Sequence, residues 1–334
     1  MSRQEVLAFL KNHPGEYLSG EQLSRQLGLS RAAVWKAVDA LRRDGYVVEA
    51  RTGLGYRLTD TPDVLTEAEI RGFLGPTEIV GHTLLCFPEL DSTNTYAKRI
   101  ALAGAEDGTV VVADCQTAGR GRMDRSFQSP AGKSVSLTAL LRPALPPESL
   151  LPVTALCAVA VSRAVESVCG VQPQIKWTND LVLNGRKLCG ILTELSLEGE
   201  SGQVQYLVLG IGLNVGQEPA DFTGDVAKMA TSLRMALGRP VSRPALAAAE
   251  IRELDRLYRA LRTGRTASYL EEYRRTCLTI GQTVQLLRPN GEREIVQALD
   301  VDGQFGLIVG RADGTRMVVR SGEVSVRGMY GYAE

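Results

Sequence analysis

The sequence contains little histidine, and its cysteines are scattered. Only two histidines, His13 and His82, occur among 334 residues. A histidine-rich metal site or a serine–histidine–aspartate triad in the main part of the chain would depend on His82 alone, so we interpret both as structural or surface residues. The six cysteines form no Cys-x-x-Cys pair, which argues against a zinc or disulfide framework and is typical of a reducing compartment. We expect no protein-bound metal and a cytoplasmic location.

Net charge and long apolar runs are absent as well. Basic and acidic residues both number 38, so a DNA contact would have to come from a local patch. The first residues lack the apolar core of a signal peptide, and the run Leu150–Val161 is short and interrupted by Pro152. We therefore expect no membrane association. The length suffices for two or three domains.

The first sixty residues have the pattern of a winged helix-turn-helix. Apolar spacing predicts a helix over Gln4–Lys11, and Ser19 is a candidate N-cap for a second helix. After the turn Gly28-Leu29-Ser30 a third helix is predicted over Arg31–Arg43, followed by a β-hairpin wing within 46–58.

The third predicted helix is amphipathic. Val34, Val38 and Leu41 share its apolar face, which leaves several basic residues facing outward: Arg31, Lys36, Arg42 and Arg43. One interpretation is a recognition helix in a DNA major groove, with the wing near the phosphates. The alternative is a winged helix that serves protein contact or packing. The helix order favours DNA, whereas nine basic against seven acidic residues in 1–60 decide nothing.

The remainder divides into two parts after the linker Thr61-Pro62-Asp63. Residues 66–275 mix strands with alanine-rich helices, an α/β pattern whose strands are too irregularly spaced to indicate a doubly wound sheet. From Leu278 onward, short β segments separated by glycines predict a small all-β barrel. We predict a multidomain α+β protein with domains over 1–62, 66–275 and 278–334.

Two glycine motifs in the middle part fail as nucleotide signatures. Gly132-Lys133-Ser134 lacks the earlier glycine of a P-loop, because that position is Phe127. Gly119-Arg120-Gly121 begins like a dinucleotide fingerprint, but arginines stand where the backbone must approach a pyrophosphate. Gly210-Ile211-Gly212 is better interpreted as a strand that needs small residues against a ligand or helix.

The arginine loop, Gly119-Arg120-Gly121-Arg122, remains as a candidate anion site. The predicted strand Val110–Gln116 delivers Gln116 to the start of this loop. Backbone N–H groups and two guanidinium groups can then surround an anion. With no apolar anchor before Phe127, the loop should be mobile when empty and close on a ligand. The alternative is an exposed basic surface loop.

A second candidate is Lys187, which follows a predicted type I′ turn at Asn184-Gly185. From the start of that strand a lysine can reach a phosphate and a carboxylate that are being joined. Gly190 would allow a ligand to approach the strand closely. Taken alone, Lys187 would instead be a solvated hairpin lysine.

Several segments, in this order and spacing, together resemble the bifunctional biotin protein ligases that also repress the biotin operon. The resemblance covers all three parts of the chain. It is carried by 30–36, 91–94, 116–122, 176–180, 185–191, 210–215, 231–233 and Ser321-Gly322-Glu323-Val324.

The resemblance implies roles for particular residues. Contacts to biotin are implied for Ser92, Thr93, Asn94 and Gln116, since a ureido ring needs paired donors and acceptors. Arg120, Gly121 and Arg122 would order over biotin and its adenylate, with Lys187 at the reacting centre. Asn179 and Asn214 would contact the adenylate, and Asp180 would orient or deprotonate the incoming lysine. Residues 215–231 would close on the adenine side. DNA contacts are implied for Ser30, Arg31, Trp35 and Lys36.

The implied activity has two steps. Biotin and Mg-ATP would give biotinyl-5′-adenylate, and a lysine of a biotin carboxyl carrier domain would then accept the biotin. A homodimer carrying the adenylate would bind operator DNA. The alternatives are a lipoate or octanoate ligase and a sensor that binds biotin without ligating it. Asp124, Phe127 and Thr178 depart from the usual glycine, tryptophan and proline of this family.

Overall fold

The computed structural model describes residues 2–122, 125–287, 293–320 and the backbone of 325–328. It divides into two compact units, residues 1–64 and 65–334. Each unit has a core of its own. All six cysteines are free. Burial raises the pKa of the Cys86 thiol to about 12, so this cysteine packs as a small apolar residue, as the sequence predicts.

The first unit is a three-helix bundle followed by a hairpin. Its elements are α1 (Ser2–Lys11), α2 (Gly20–Leu27), α3 (Arg31–Arg43), β1 (Val47–Arg51) and β2 (Gly55–Asp60). Ser19 and Ser30 cap α2 and α3 by accepting hydrogen bonds from the backbone N–H groups of Gln22 and Ala33. The helix-turn-helix prediction is therefore confirmed.

Arg42 in α3 makes a contact that the sequence did not predict. It is exposed, as expected with the other basic residues, and its guanidinium donates two hydrogen bonds to the carbonyl oxygen of Val48, at 2.9 and 2.6 Å. These two hydrogen bonds connect the end of α3 to β1. Val34, Val38 and Leu41 lie in the core as expected.

The second unit begins with α4, whose N-cap Thr66 accepts from the N–H of Glu69. Its helices are α4 (Glu67–Leu74), α5 (Thr93–Leu102), α6 (Val153–Cys169), α7 (Val226–Met229), α8 (Leu233–Leu237), α9 (Arg243–Arg262) and α10 (Ala267–Thr276). Its first strands are β3 (Leu84–Leu90), β4 (Thr109–Gln116), β5 (Ser134–Leu141), β6 (Gln174–Lys176), β7 (Asp180–Leu183), β8 (Arg186–Leu197) and β9 (Val204–Asn214).

These strands form one seven-stranded sheet in the order β3-β4-β5-β9-β8-β7-β6. Only β3 and β4 run parallel, and the other pairs are antiparallel. Helices α6 and α9 pack on one face, where most of the core lies, and α5 packs on the other. Because α5 is short, it leaves part of that second face uncovered, and the candidate site lies there.

The apolar segment around α6 is longer than the sequence analysis allowed. Together with the turn of 3₁₀-helix at Pro147–Leu150, the helical stretch Pro147–Cys169 is, by length and composition only, long and apolar enough to cross a membrane: an 18-residue window within it has a mean hydropathy of 1.5. The expectation that no run reaches this length is therefore wrong. In the fold 61% of this window is buried, because α6 is the central helix of the core. Core helices of globular domains meet the same criterion.

The C-terminal part is rich in β structure. Strands β10 (Thr283–Leu287), β11 (Arg293–Val301), β12 (Leu307–Gly310), β13 (Arg316–Val319) and β14 (Ser325–Gly328) form a sheet in the order β13-β12-β11-β10-β14. Trp177 joins this sheet to the larger one, since its indole N–H donates to the carbonyl oxygen of Phe305 at 2.8 Å. The predicted 321–324 motif lies outside the described residues.

Candidate active site

A cavity of about 870 Å³ lies on the face of the large sheet that α5 leaves open. It collects residues from seven segments of the sequence between Ser92 and Ala230. Those predicted from the sequence and found in its lining are Ser92, Thr93, Asn94, Gln116, Arg120, Gly121, Arg122, Asn179, Asp180, Lys187 and Asn214. The structure thus brings every predicted ligand-site residue of the second unit to one place.

One part of the cavity is built on the N-terminus of α5. Ser92 is the N-cap of this helix. The Oε1 atom of Gln116, at the end of β4, accepts from the backbone N–H of Thr93 at 2.8 Å and from the Thr93 hydroxyl at 3.1 Å. Since an N–H faces Oε1, the amide orientation of Gln116 is set, and its Nε2 hydrogens remain for a ligand.

Asn94 lines the same region, but its side chain is engaged by the protein. Its Nδ2 donates to the carbonyl oxygen of Leu192 and to the carboxylate of Glu194, and its Oδ1 accepts from Thr138. Both amide hydrogens are therefore used. A β-carbon added at Gly210 would lie 2.1 Å from Oδ1, so this glycine of β9 makes room for Asn94. The prediction of a small residue against a helix is confirmed at Gly210.

The arginine loop lies against the segment that precedes β7. The Arg122 guanidinium donates to Thr178 Oγ1 at 3.2 Å and to Asn179 Oδ1 at 2.9 Å. Burial lowers the pKa of this guanidinium, and the nearby Asp180 carboxylate opposes that shift. The group stays cationic, because an arginine pKa lies far above neutral pH. Arg120 is exposed, and its backbone pairs with Ser126.

Lys187 faces the cavity and not bulk solvent. The predicted hairpin is present, with positive φ at both Asn184 (51°) and Gly185 (72°), as a type I′ turn requires. The Lys187 ammonium lies 2.7 Å from Asp180 Oδ1. A β-carbon at Gly190 would lie 3.3 Å from Lys187 Cε and Nζ, so the lysine occupies the space that was expected to admit a ligand.

Two asparagines hold the far side of the cavity together. Asn179 donates to Asp180 Oδ1 at 3.2 Å and to the carbonyl oxygen of Ile191. Asn214 is buried, donates to the carbonyl oxygen of Thr231 and accepts from Gln217. Asn214 thereby ties the end of β9 to the 215–231 loop, whose members Phe222, Val226 and Met229 also line the cavity.

The apolar wall includes Phe127, which the sequence identifies both as the first apolar anchor after the arginine loop and as a departure from the family pattern. Its ring packs on Gly212 of β9, where an added β-carbon would lie 2.5 Å from it. The pair could have been inferred from the second glycine of Gly210-Ile211-Gly212, because a strand glycine marks close approach by another group. Asp124 lies outside the described residues.

Comparisons with known proteins agree with this geometry. Residues 86–214 match the model of the biotin/lipoate A/B protein ligase family, and residues 2–57 match that of a helix-turn-helix domain. The bifunctional ligase/repressor BirA of Escherichia coli K12 is 30% identical over 324 residues, covering 97% of this chain and 96% of the relative. That of Bacillus subtilis is 43% identical over 241 residues, covering 72% and 73%. The chain belongs to the BirA family of ligase/repressors.

A solved structure extends the family assignment to the fold. The biotin protein ligase from Aquifex aeolicus, in complex with biotin and ATP, superimposes with a TM-score of 0.63 at 25% identity. The match covers 74% of this BirA-family chain and 99% of the other.

Within the described residues, no group of three or more histidine, cysteine, aspartate or glutamate side chains is arranged to hold a metal ion.

The first unit of this BirA-family chain presents the four residues predicted for DNA on or beside α3. The Ser30 hydroxyl caps the helix, and Arg31 pairs with Glu21 at 2.9 Å on an exposed surface. Trp35 is 57% exposed and Lys36 is exposed. A tryptophan this exposed on the polar face of a helix is available to a partner.

Proposed function

We propose that this chain is a biotin protein ligase that activates biotin with ATP and transfers it to a lysine of a biotin carboxyl carrier domain, such as that of acetyl-CoA carboxylase. One observation carries the proposal. A single cavity combines the hydroxyl and amide groups of Ser92, Thr93 and Gln116 with the cations Arg122 and Lys187. Membership of the BirA family supports it, as does the likeness to a ligase in complex with biotin and ATP.

The first region suits a ureido ring, which presents N–H donors and a carbonyl acceptor. Ser92, Thr93, Asn94 and Gln116 form this end, with Arg120, Gly121 and Arg122 closing over biotin. The second region suits the phosphate. As the biotin carboxylate attacks the α-phosphorus, negative charge accumulates, and Arg120, Arg122 and Lys187 stabilise it.

The adenylate would then lie against Asn179 and Asn214, with the 215–231 loop over the adenine. Asp180 orients or deprotonates the acceptor lysine. In the free protein Asp180 is held by Lys187 at 2.7 Å, so the lysine must move toward phosphate before the carboxylate is released. Mg²⁺ arrives with ATP as part of that substrate. We assign catalysis to the domain over 66–275, and the domain over 278–334 would form an SH3-like barrel.

Biotin-dependent ATP–pyrophosphate exchange tests this reaction without the acceptor protein. Exchange with biotin but not with lipoate or octanoate is expected. The family matched by 86–214 includes lipoate ligases, so exchange with lipoate alone would overturn the substrate assignment. Biotin binding without exchange would instead identify a sensor.

The second proposed function is repression of biotin genes. It rests on the helix-turn-helix of residues 2–57 and on relatives named ligase/repressors. Ser30, Arg31, Trp35 and Lys36 of domain 1–62 would contact operator DNA, with biotinyl-5′-adenylate as corepressor of a cytoplasmic homodimer. A gel shift on the promoter of biotin genes, with and without biotin and ATP, tests it. A shift that ignores both ligands would contradict corepression.

A further inference from the structure

The guanidinium of Arg122 is held by the protein through only one of its nitrogens. Its Nη1 donates to Thr178 Oγ1 at 3.2 Å and to Asn179 Oδ1 at 2.9 Å. Because Nη1 of an arginine carries two hydrogens, both are used by these two acceptors. Among the described residues, no hydrogen bond or ion pair engages the Nε or Nη2 of Arg122.

Both acceptors are fixed by their own surroundings. The Nδ2 of Asn179 faces two groups that only accept, the carboxylate of Asp180 at 3.2 Å and the carbonyl oxygen of Ile191 at 3.1 Å. The amide oxygen of Asn179 must therefore face Arg122. Thr178 is buried, with 4% of its surface exposed, and it does not line the cavity, whereas Arg122 and Asn179 do. Its hydroxyl thus supports the guanidinium from behind the site.

This arrangement determines which edge of the guanidinium is left for a ligand. A guanidinium is planar, so two acceptors on one nitrogen fix both its position and its plane. The remaining Nε and Nη2 hydrogens form one edge, which can pair with two oxygens of a carboxylate or a phosphate. The proline that the resemblance leads us to expect at Thr178 has no hydroxyl. The second acceptor is therefore a feature of this chain.

We infer that Thr178 is a positioning residue for Arg122: together with Asn179, its hydroxyl occupies Nη1 and leaves the edge formed by Nε and Nη2 to bind an anionic ligand. In the free protein this contact gives the arginine loop a polar anchor ahead of its apolar one, Phe127. When the ligand is bound, the free edge pairs with the phosphate of biotinyl-5′-adenylate, and this second step rests on the proposed function.

The anchor is tested without any ligand by Thr178→Val, which replaces the hydroxyl with a methyl group at nearly constant volume. One hydrogen of Nη1 then lacks its acceptor, and the guanidinium can rotate about the remaining bond to Asn179. Trypsin cleaves after an arginine only when the guanidinium enters its specificity pocket, so Arg122 must first leave both acceptors. Cleavage after Arg122, followed by mass spectrometry, should be about tenfold faster in the variant, since one hydrogen bond to a charged group is lost.

Two control variants separate the hydroxyl from packing. Thr178→Ser keeps the hydroxyl and should be cleaved after Arg122 at the wild-type rate. Thr276→Val is the matched control, because Thr276 is similarly buried and its hydroxyl donates to the carbonyl oxygen of Glu272 at 2.8 Å, outside the cavity. Equal cleavage after Arg122 in wild type and Thr178→Val would overturn the inference. A serine variant or a Thr276 variant cleaved as fast as Thr178→Val would overturn it as well.

The step at the ligand is tested by the release of biotinyl-5′-adenylate, chased with unlabelled biotin and ATP. Release should be about tenfold faster in Thr178→Val than in wild type, because the edge that binds the phosphate is no longer held in place. Arg122→Met should also speed release, and adding Thr178→Val to it should change nothing further, since Thr178 acts through Arg122. Additive effects would contradict the positioning role. Wild-type protein that forms no adenylate would contradict the ligase but not the anchor, which trypsin measures in the free protein.

Discussion

Removing the charge of Lys187 should impair adenylation strongly and leave the stability of the fold almost unchanged. The Lys187 ammonium lies 2.7 Å from Asp180 Oδ1, and the two side chains are 30% and 15% exposed. Ion pairs that reach solvent contribute only about 0–1 kcal/mol to folding. Asp180 also keeps a hydrogen bond from Asn179 when the lysine is lost. We therefore expect Lys187→Met, which retains the aliphatic stem, to change the free energy of unfolding by less than about 1 kcal/mol.

The effect on adenylation should be far larger. If Lys187 stabilises the charge that develops at the α-phosphorus, its loss resembles the removal of one oxyanion-hole donor. Such losses cost about 2.7–4 kcal/mol of barrier, or roughly 10²–10³ in kcat. Gly190 leaves room for the end of the lysine beside the strand, so the ammonium already lines the cavity before it moves from Asp180 toward the phosphate.

The assay is biotin-dependent pyrophosphate exchange at saturating biotin and ATP, with thermal unfolding followed by circular dichroism. Lys133→Met is the matched control, since Lys133 pairs with Asp221 at 3.2 Å and has a similar exposure of 32%, but lies outside the cavity. The assignment of Lys187 is refuted if its variant turns over within tenfold of wild type. It is equally refuted if the Lys133 variant loses as much activity.

Three other perturbations have defined outcomes. Gly210→Ala places a β-carbon 2.1 Å from the tethered Asn94 Oδ1. It should cost about 1–3 kcal/mol of stability and raise the KM for biotin in pyrophosphate exchange. Gly199→Ala, with open space around it, should do neither. Equal melting temperatures for the two variants would contradict this. Burial raises the pKa of Glu250 well above its usual 4.5, so the folded state holds a proton that the unfolded chain releases. The unfolding free energy should therefore fall as pH rises above about 4.5 toward the folded-state pKa. Glu250→Gln should flatten this dependence of the unfolding free energy on pH, as measured by denaturant titrations at several pH values. An unchanged pH dependence in the variant would count against the buried, protonated Glu250. Lys36→Ala should weaken DNA binding uniformly across sequences and lower the slope of log affinity against log salt concentration by about one. Gel shifts at several salt concentrations would detect this change. An unchanged slope would place Lys36 away from the phosphates.

Local signals in the sequence predicted local structure well. Ser19 caps α2 as expected, because a side-chain oxygen just before an amphipathic segment satisfies a free N–H wherever that segment packs. The Asn184-Gly185 turn likewise depends on the φ preferences of two residues. These features need no knowledge of the tertiary fold, so a single sequence suffices to predict them.

Contacts between distant segments could not be predicted in this way. Glu194 gave no sign of bonding to Asn94, because 100 residues separate them and only the sheet order places β8 beneath α5. Glu250 belongs to an alanine-rich helix, where a glutamate is ordinarily exposed, yet both of its carboxylate oxygens are buried without a hydrogen-bond partner among the described residues. The hydrogen bonds from Arg42 to Val48 were not predicted, because periodicity describes the direction of a side chain's stem and not the end of a long guanidinium.

Three glycines on the open face of the sheet leave room there for side chains of the candidate site. Gly210 accommodates the Asn94 amide, Gly212 the Phe127 ring and Gly190 the end of Lys187. Each glycine therefore serves a different part of the proposed reaction: the ureido end, the apolar wall and the reacting centre. A methyl group at Gly210 and one at Gly190 should therefore impair different kinetic constants. Alanine at 210 should act on the KM for biotin and alanine at 190 on kcat, although the two glycines lie on neighbouring strands of one sheet.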